Sequence, residues 1–128
     1  MRVTILETYP RDSSETEVRF ASVFGEGVAR WASETPVLNC VYDVEFNVAD
    51  PVEWARTALI VAERAPSIGM TPAGVRFCGT LDNVQDDGVV ALRLGDSLIL
   101  LETVGEPPPV GSSICVTVKM VELFAHKI

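Results

Sequence analysis

Two carboxylates, Asp43 and Glu45, are the residues in this sequence best placed to do chemistry. They alternate with apolar residues, so on a β-strand both side chains project from one face, about 7 Å apart. Such a pair could act as general acid and base, or could hold a divalent cation together with Asn47 on the same face. A strand that borders water carries polar residues on that side in any case. The pattern therefore favours a solvated face over a catalytic site.

The remaining titratable residues do not complete a catalytic or metal-binding pattern. The single histidine, His126, lies close to the C-terminus, and the sequence contains no Gly-x-Ser-x-Gly motif for a nucleophile. Asp82, Asp86 and Asp87 precede Gly88, but the ligand spacing of a calcium-binding loop is missing. A hairpin turn explains these residues more simply. The sequence accordingly predicts no enzyme activity, no metal site and no cofactor.

The three cysteines, Cys40, Cys78 and Cys115, are far apart and lie in apolar runs. No two of them have the spacing of a zinc site. Free cysteine behaves as a small buried hydrophobe, so we expect reduced thiols in the core. The odd cysteine count and the lack of a secretory leader predict a cytoplasmic protein. No apolar run approaches the ~20 residues that a membrane-spanning helix needs.

Acidic residues outnumber basic ones by 18 to 10, which gives a net charge of −8 and a pI near 4.5. The field around such a molecule repels phosphate backbones and anionic lipid, so neither nucleic acid nor a membrane is expected as a partner. The same field would accelerate the approach of a basic protein. It also keeps a protein dispersed in solution, and this plain role competes with the functional one.

The chain of 128 residues has the length of a single domain, spanning 1–128, with 48% hydrophobic residues to fill one core. Its β-type runs alternate with turn signals, among them Gly25-Glu26-Gly27, Asp86-Asp87-Gly88 and Gly95-Asp96, and residues 9–14 predict a first turn. This spacing predicts a mainly β fold, a small antiparallel barrel or sandwich. The predicted strands cover residues 2–8, 17–24, 28–32, 39–48, 75–84, 89–94, 98–104 and 113–124, the last with a bulge near 119–121.

One segment has a different pattern. Asp50 in the N-cap position, Pro51 at the first helical position and Glu53 three residues after the cap form a capping box. Apolar residues then gather on one side at helical spacing, so we predict one helix over residues 51–64, ended by Pro66. The alternative is a strand through residues 57–61, because Thr, Ile and Val favour pleated structure.

The run Gly79-Thr-Leu-Asp-Asn-Val-Gln-Asp-Asp-Gly-Val-Val-Ala-Leu-Arg-Leu-Gly-Asp, with Ser97-Leu-Ile-Leu-Leu-Glu and Pro109-Val-Gly-Ser, resembles the strands and turns of small OB-like and related Greek-key β-barrels. This resemblance covers residues 75–124. The chain is also similar in size, charge and β content to small acidic bacterial immunity proteins, which neutralise secreted toxins. Neither resemblance assigns site residues to this sequence.

These observations together predict a non-enzymatic domain that binds a protein partner. The more specific hypothesis is that this partner is basic. The narrowest version is immunity-type inhibition of a basic bacterial toxin. Its contact surface would be the acidic face around Asp43, Glu45, Asp50 and Glu53, where complementary charge would steer the encounter. An open sheet edge could also pair two copies, so a homodimer is compatible with the sequence.

Two other functions are also compatible with the sequence. The first is a small-molecule-binding barrel of the OB-like type, with a pocket lined by Tyr42, Phe46 and Phe77. The second, less favoured, is an enzyme that acts through Asp43 and Glu45. The two tryptophans are expected to pack in the core more readily than to anchor a partner.

Overall fold

A computed structural model describes residues 1–10 and 16–127 of the chain. The turn predicted over residues 9–14 lies mostly outside the described residues. The strands are β1 (Arg2–Pro10), β2 (Thr16–Ser22), β3 (Gly25–Trp31), β4 (Val41–Asn47), β5 (Val52–Glu53), β6 (Ala58–Ile60), β7 (Ser67–Thr71), β8 (Gly74–Val84), β9 (Val89–Leu94), β10 (Ser97–Val104), β11 (Ser113–Val118) and β12 (Glu122–Lys127). The predicted mainly β fold is confirmed.

Five strands close into a barrel. β1 pairs antiparallel with β2 and with β4, β2 pairs with β3, and β12 closes the ring by pairing antiparallel with β4 and parallel with β3. This ring is compatible with an OB-like Greek-key barrel. The sequence resemblance to such barrels was placed on residues 75–124, and of that segment only β12 belongs to the ring. The turn-rich segment 75–124 therefore forms mainly strands outside the ring. The placement of the resemblance on that segment was wrong.

The other seven strands lie between β4 and β12 in the sequence and continue the same twelve-stranded sheet beyond the barrel; we name this part the second sheet. β8 is its centre, because it pairs with β7, β9 and β11. β10 follows β9, β5 pairs with the end of β10, and β6 pairs with β11. The second sheet joins the barrel where β7 meets β3, at the pair Gly25 and Ile68. A Cβ at Gly25 would lie 2.0 Å from the Ile68 carbonyl oxygen, so this junction requires glycine.

One hydrophobic cluster spans the barrel and the second sheet. The alternation predicted for β4 is confirmed at Tyr42, Val44 and Val48, which are buried. Phe46, on the same face, links the two sheets: its ring lies 5.9 Å from that of Phe20 in the barrel and 5.6 Å from that of Phe77 in β8. The aromatic rings thus fill the junction between the two groups of strands.

The helix predicted over residues 51–64 is wrong. Val52 and Glu53 form β5 instead, parallel to the end of β10, and Val52 is 1% exposed. Residues 55–57 make a turn, in which Ala55 has φ 70° and the Thr57 hydroxyl accepts a 2.8 Å hydrogen bond from the Glu53 amide. β6 then pairs with β11, close to the alternative prediction of a strand over 57–61. The pairing of β5 with β10 and of β6 with β11 outweighs the local capping signal.

The single strand predicted over residues 113–124 with a bulge near 119–121 is wrong, because the structure has two strands with a break at those three residues. β11 ends at Val118 and β12 begins at Glu122. Val118 lies in the core of the second sheet, and Val121 and Leu123 are fully buried in the barrel. The three residues between the strands therefore carry the chain from one sheet to the other.

Candidate functional site

The acidic residues predicted to bind a partner are divided between two places. Asp43 and Glu45 are exposed on β4 of the barrel. Asp43 lies opposite Arg2 of β1 and His126 of β12, and its Oδ1 accepts a 3.2 Å hydrogen bond from the N-terminal ammonium group. Glu45 lies opposite Phe124. The negative charge at Asp43 is therefore partly neutralised by its neighbours.

Asp50 and Glu53 are also exposed, but they line a groove at the second sheet together with Arg56 and Lys119. An Arg56 guanidinium nitrogen lies 3.2 Å from Oε2 of Glu53. The predicted acidic surface thus contains two cations, the N-terminal ammonium group beside Asp43 and Arg56 beside Glu53. It is less uniform than the sequence alone indicates.

The expectation of reduced thiols in the core is wrong for all three cysteines, because two are bonded to each other and the third lies outside the core. Cys78 in β8 and Cys115 in β11 are direct cross-strand neighbours, with Cα atoms 4.1 Å apart, and they form a disulfide. Such a close Cα spacing is typical of a non-hydrogen-bonded antiparallel pair. Cys40 is exposed, not buried. Because disulfides persist mainly in oxidising compartments, the bond weighs against the cytoplasmic location, which stays a prediction.

The rings predicted to line an internal pocket pack against one another instead. Phe77 is fully buried and meets Phe46 edge-on. Tyr42 stacks edge-on against Trp31 at 4.9 Å, and its hydroxyl accepts a 3.0 Å hydrogen bond from the Val37 amide. Phe46 and Phe77 therefore contribute to the core, and Tyr42 borders a separate surface groove with Trp31. Trp31 is buried, as expected.

The lowered carboxyl pKa values belong to exposed ion pairs. The Arg19 side chain hydrogen-bonds Glu7 and lowers the pKa of that carboxyl, and Arg93 does the same for Asp82. Within the described part of the chain, no group of three or more His, Cys, Asp or Glu side chains is arranged to hold a metal ion. No helix of the described residues is long and apolar enough to cross a membrane.

The strand β10 provides a candidate site that was not predicted from the sequence. Ile99 and Leu101 point into the core, while Leu98 and Leu100 on the other face are 49% and 57% exposed. β9 pairs along one edge of β10. On the other edge, β5 pairs only with Thr103 and Val104. Within residues 1–10 and 16–127, no strand pairs with the stretch 97–102 on that side, which we name the β10 edge.

The backbone groups of the β10 edge can be assigned from the register. The two-residue turn after β9 makes Leu94 and Ser97 a hydrogen-bonded pair, so the odd-numbered residues of β10 bond to β9. Thr103 fits this phase, because its amide donates to the Gly88 carbonyl on the β9 side. The amides of Leu98, Leu100 and Glu102 therefore face the open edge.

The signal for this site was present in the sequence. Residues 98–101 are all apolar, whereas a strand with one face in water alternates apolar and polar residues. The uninterrupted run is compatible with a strand buried on both faces, and the sequence cannot show that one face stays open. The position of β10 next to last in the sheet order, beside the two-residue strand β5, reveals it.

An apolar groove adjoins the far end of β10. The Trp54 amide donates a 3.1 Å hydrogen bond to the Val104 carbonyl, and the Trp54 ring borders a cavity of about 440 Å³ with Leu59, Ile60 and Pro107. The indole nitrogen of Trp54 is buried without a hydrogen-bond partner among the described residues. Exposed apolar surface thus continues past Val104.

Comparison with known proteins gives no match to this chain among family models, curated proteins or solved structures.

Proposed function

We propose that this protein is a non-enzymatic domain that binds a partner protein, and that β10 pairs with an extended segment of that partner. The supporting observation is the β10 edge, which combines an unpaired strand edge with the exposed side chains of Leu98 and Leu100. Natural sheets protect such edges with lysine, proline or a bulge, and residues 97–102 contain none of these. An added strand would satisfy the open backbone groups and cover the two leucines.

The energetic gain of this pairing is divided between backbone and side chains. Burial of the exposed halves of Leu98 and Leu100 contributes about 1 kcal/mol each. The amides of Leu98, Leu100 and Glu102 supply hydrogen bonds that fix register and direction. Affinity would therefore come from the apolar contact, and orientation from the strand pairing.

The charges near the β10 edge indicate which segment fits. Asp96 precedes the edge, Glu102 lies at its end, and Glu53 of β5 is opposite Val104; all three are exposed. A basic segment whose apolar residues share one face would cover the leucines with that face, and its net positive charge would suit these acids. A second copy of this chain, which also carries a net charge of −8, fits less well because the two molecules repel each other.

Immunity-type inhibition of a basic toxin is a narrower form of the same proposal. Nothing in the fold selects a toxin over another basic protein, so that form stays a prediction. The small-molecule alternative loses its predicted internal pocket, because Phe46 and Phe77 fill the core.

The proposal can be tested with synthetic peptides as partner mimics. One peptide alternates valine with lysine, and its control alternates valine with glutamate. We expect the lysine peptide, in amide hydrogen exchange measured by NMR, to protect the amides of Leu98, Leu100 and Glu102, and the glutamate peptide to protect them much less. Protection that is absent, or that occurs elsewhere on the surface, would overturn the assignment of the β10 edge.

Two variants at one position separate backbone pairing from side-chain burial. Leu100→Pro removes an amide that faces the open edge and no bond to β9, so the fold should persist while peptide binding is lost. Leu100→Thr keeps the amide and should only weaken binding, because part of the apolar contact is gone. If the protein alone forms a dimer that Leu100→Pro dissociates, the occupant is a second copy and the partner-protein proposal is wrong.

A further inference from the structure

A groove on the outer face of the second sheet brings together cations and hydroxyl groups. It has a volume of about 460 Å³ and lies between the turn after β7, the start of β6 and the end of β11. Arg56, Arg76 and Lys119 supply three positive charges to its walls, and Thr57, Thr71 and Thr117 supply hydroxyls. We name these six residues the cationic groove. No carboxylate belongs to its lining, and the nearest acids, Asp50 and Glu53, line the adjoining groove that shares Arg56 and Lys119.

The strand register explains why these side chains share one face. Arg76 in β8 lies directly opposite Thr117 in β11 on one side and Gly69 in β7 on the other. The Thr117 amide donates to the Thr57 carbonyl, which brings the turn before β6 to the same row. A Cβ at Gly69 would meet no atom within 4 Å, so open space adjoins the row that contains Arg76.

Arg56 is paired with Glu53 at 3.2 Å, but the other two cations of the cationic groove are poorly compensated by the described residues. Elsewhere arginines are paired with acids: Arg19 lies 2.7 Å from Glu7, and Arg93 lies 2.8 Å from Asp82. Among residues 1–10 and 16–127, by contrast, neither Arg76 nor Lys119 forms an ion pair. Arg76 is nevertheless half-buried.

This concentration of charge is unusual for the chain as a whole. The sequence has 10 basic residues against 18 acidic ones, and three of the ten line this one groove. A partly desolvated cation gains most from an anion that enters its site, because water no longer screens it fully. The end of the groove that carries Arg76 and Lys119 is thus a local positive region in a negative molecule.

Apolar atoms form the rest of the lining. Leu59, which pairs with Cys115, is 47% exposed, and Cys115 with its disulfide partner lies in the same cross-strand row. Ala73 adds a methyl group on the side of the β7–β8 turn. A fully ionic ligand would leave these carbons uncovered, whereas a ligand with an apolar body would cover them.

We infer that the cationic groove binds a small amphipathic anion: an apolar body of one or two rings that carries a sulfonate, carboxylate or phosphate group. Arg76 and Lys119 contact the anionic group, and the Thr117 hydroxyl donates a hydrogen bond to it. The apolar body lies against Leu59 and Ala73. This site is independent of the β10 edge, which involves another strand and another class of ligand.

The probe for this inference is anilinonaphthalene sulfonate, whose fluorescence rises on binding, with the neutral compound phenylnaphthylamine as its matched control. We expect saturable binding of the sulfonate and at least about tenfold weaker binding of the neutral compound. Amide shifts in NMR spectra of the unmodified protein should cluster at Gly69, Cys115 and Thr117. This mapping does not depend on whether any variant folds.

Charge variants complete the test. The double variant Arg76→Gln/Lys119→Gln should weaken sulfonate binding by about tenfold or more, because charge-assisted hydrogen bonds are lost. Arg64→Gln makes the same kind of change outside the lining and should leave binding within about twofold. Equal binding of both probes, equal loss in Arg64→Gln, or amide shifts centred elsewhere would each overturn the inference.

Discussion

Asp82 and Arg93 form an ion pair on neighbouring strands β8 and β9. Nε of Arg93 donates a 2.8 Å hydrogen bond to Oδ1 of Asp82, and this contact is the main reason that the pKa of Asp82 lies below its ordinary value of 3.8. A carboxyl with a lowered pKa in the folded state stabilises the fold fully above its unfolded pKa. That stabilisation is lost as the pH falls through the lowered pKa.

Removal of the guanidinium should reverse this shift. In Arg93→Gln we expect the Asp82 carboxyl to titrate at higher pH than in the unmodified protein, as followed by NMR of the side-chain carbon. Arg64 lies away from Asp82 in the sequence and pairs with no described acid. The variant Arg64→Gln therefore serves as the charge-matched control. An Asp82 pKa that is the same in all three proteins would contradict the hydrogen bond as its cause.

At the scale of elements, the disulfide fixes β8 against β11. Cys78 and Cys115 are separated by 37 residues in the sequence, and a cross-link over a loop of that size stabilises a fold by about 3–4 kcal/mol through the unfolded state. We expect Cys78→Ala/Cys115→Ala to lose up to that amount in urea denaturation. The loss of stability should be concentrated in the second sheet, which carries the cationic groove.

The exposed third cysteine provides the control for this prediction. Cys40→Ala should leave stability nearly unchanged, because Cys40 is exposed and forms no disulfide. A thiol assay on the unreduced protein should detect one free thiol, and none in Cys40→Ala. Three free thiols in the unreduced protein would show that Cys78 and Cys115 are not bonded.

The elements also show how far the sequence was informative. Period-two alternation located the strands β4 and β8, and the start of β11, because each of them buries one face, but it merged β11 with β12. The segment 51–64 was misread, since its capping signal is local, whereas the partners of β5 and β6 come from residues 103–104 and 114–116. Long-range pairing of this kind leaves no trace in a single sequence.

The candidate sites were harder to predict than the strands, for a related reason. The acids Asp43 and Glu45 were recognisable by type, but the N-terminal ammonium group that neutralises Asp43 is 42 residues away. The cationic groove combines single bases from three separate segments, and its charge is invisible when those bases are read in order. The β10 edge is open because the last strand of the sheet, β5, pairs with only two residues of β10, and this follows from topology.

At the scale of the whole molecule, the net charge of −8 should govern how fast a basic partner arrives. Two double variants change this charge equally: Asp96→Lys/Glu102→Lys at the β10 edge and Asp43→Lys/Glu45→Lys on the barrel. Each replaces two acids by two bases, so the charge rises by four, from −8 to −4. A purely global field would make both variants slow association of the valine–lysine peptide to the same extent.

A docking surface at the β10 edge predicts unequal effects. Charges close to the contact act over less than the Debye length of about 8 Å, whereas salt screens the more distant ones. In stopped-flow measurements we therefore expect Asp96→Lys/Glu102→Lys to reduce the association rate more, and to remove more of its salt dependence, than Asp43→Lys/Glu45→Lys. The reverse order would place the contact on the acidic face of β4, and the β10 edge would then be an unpaired strand with no part in partner recognition.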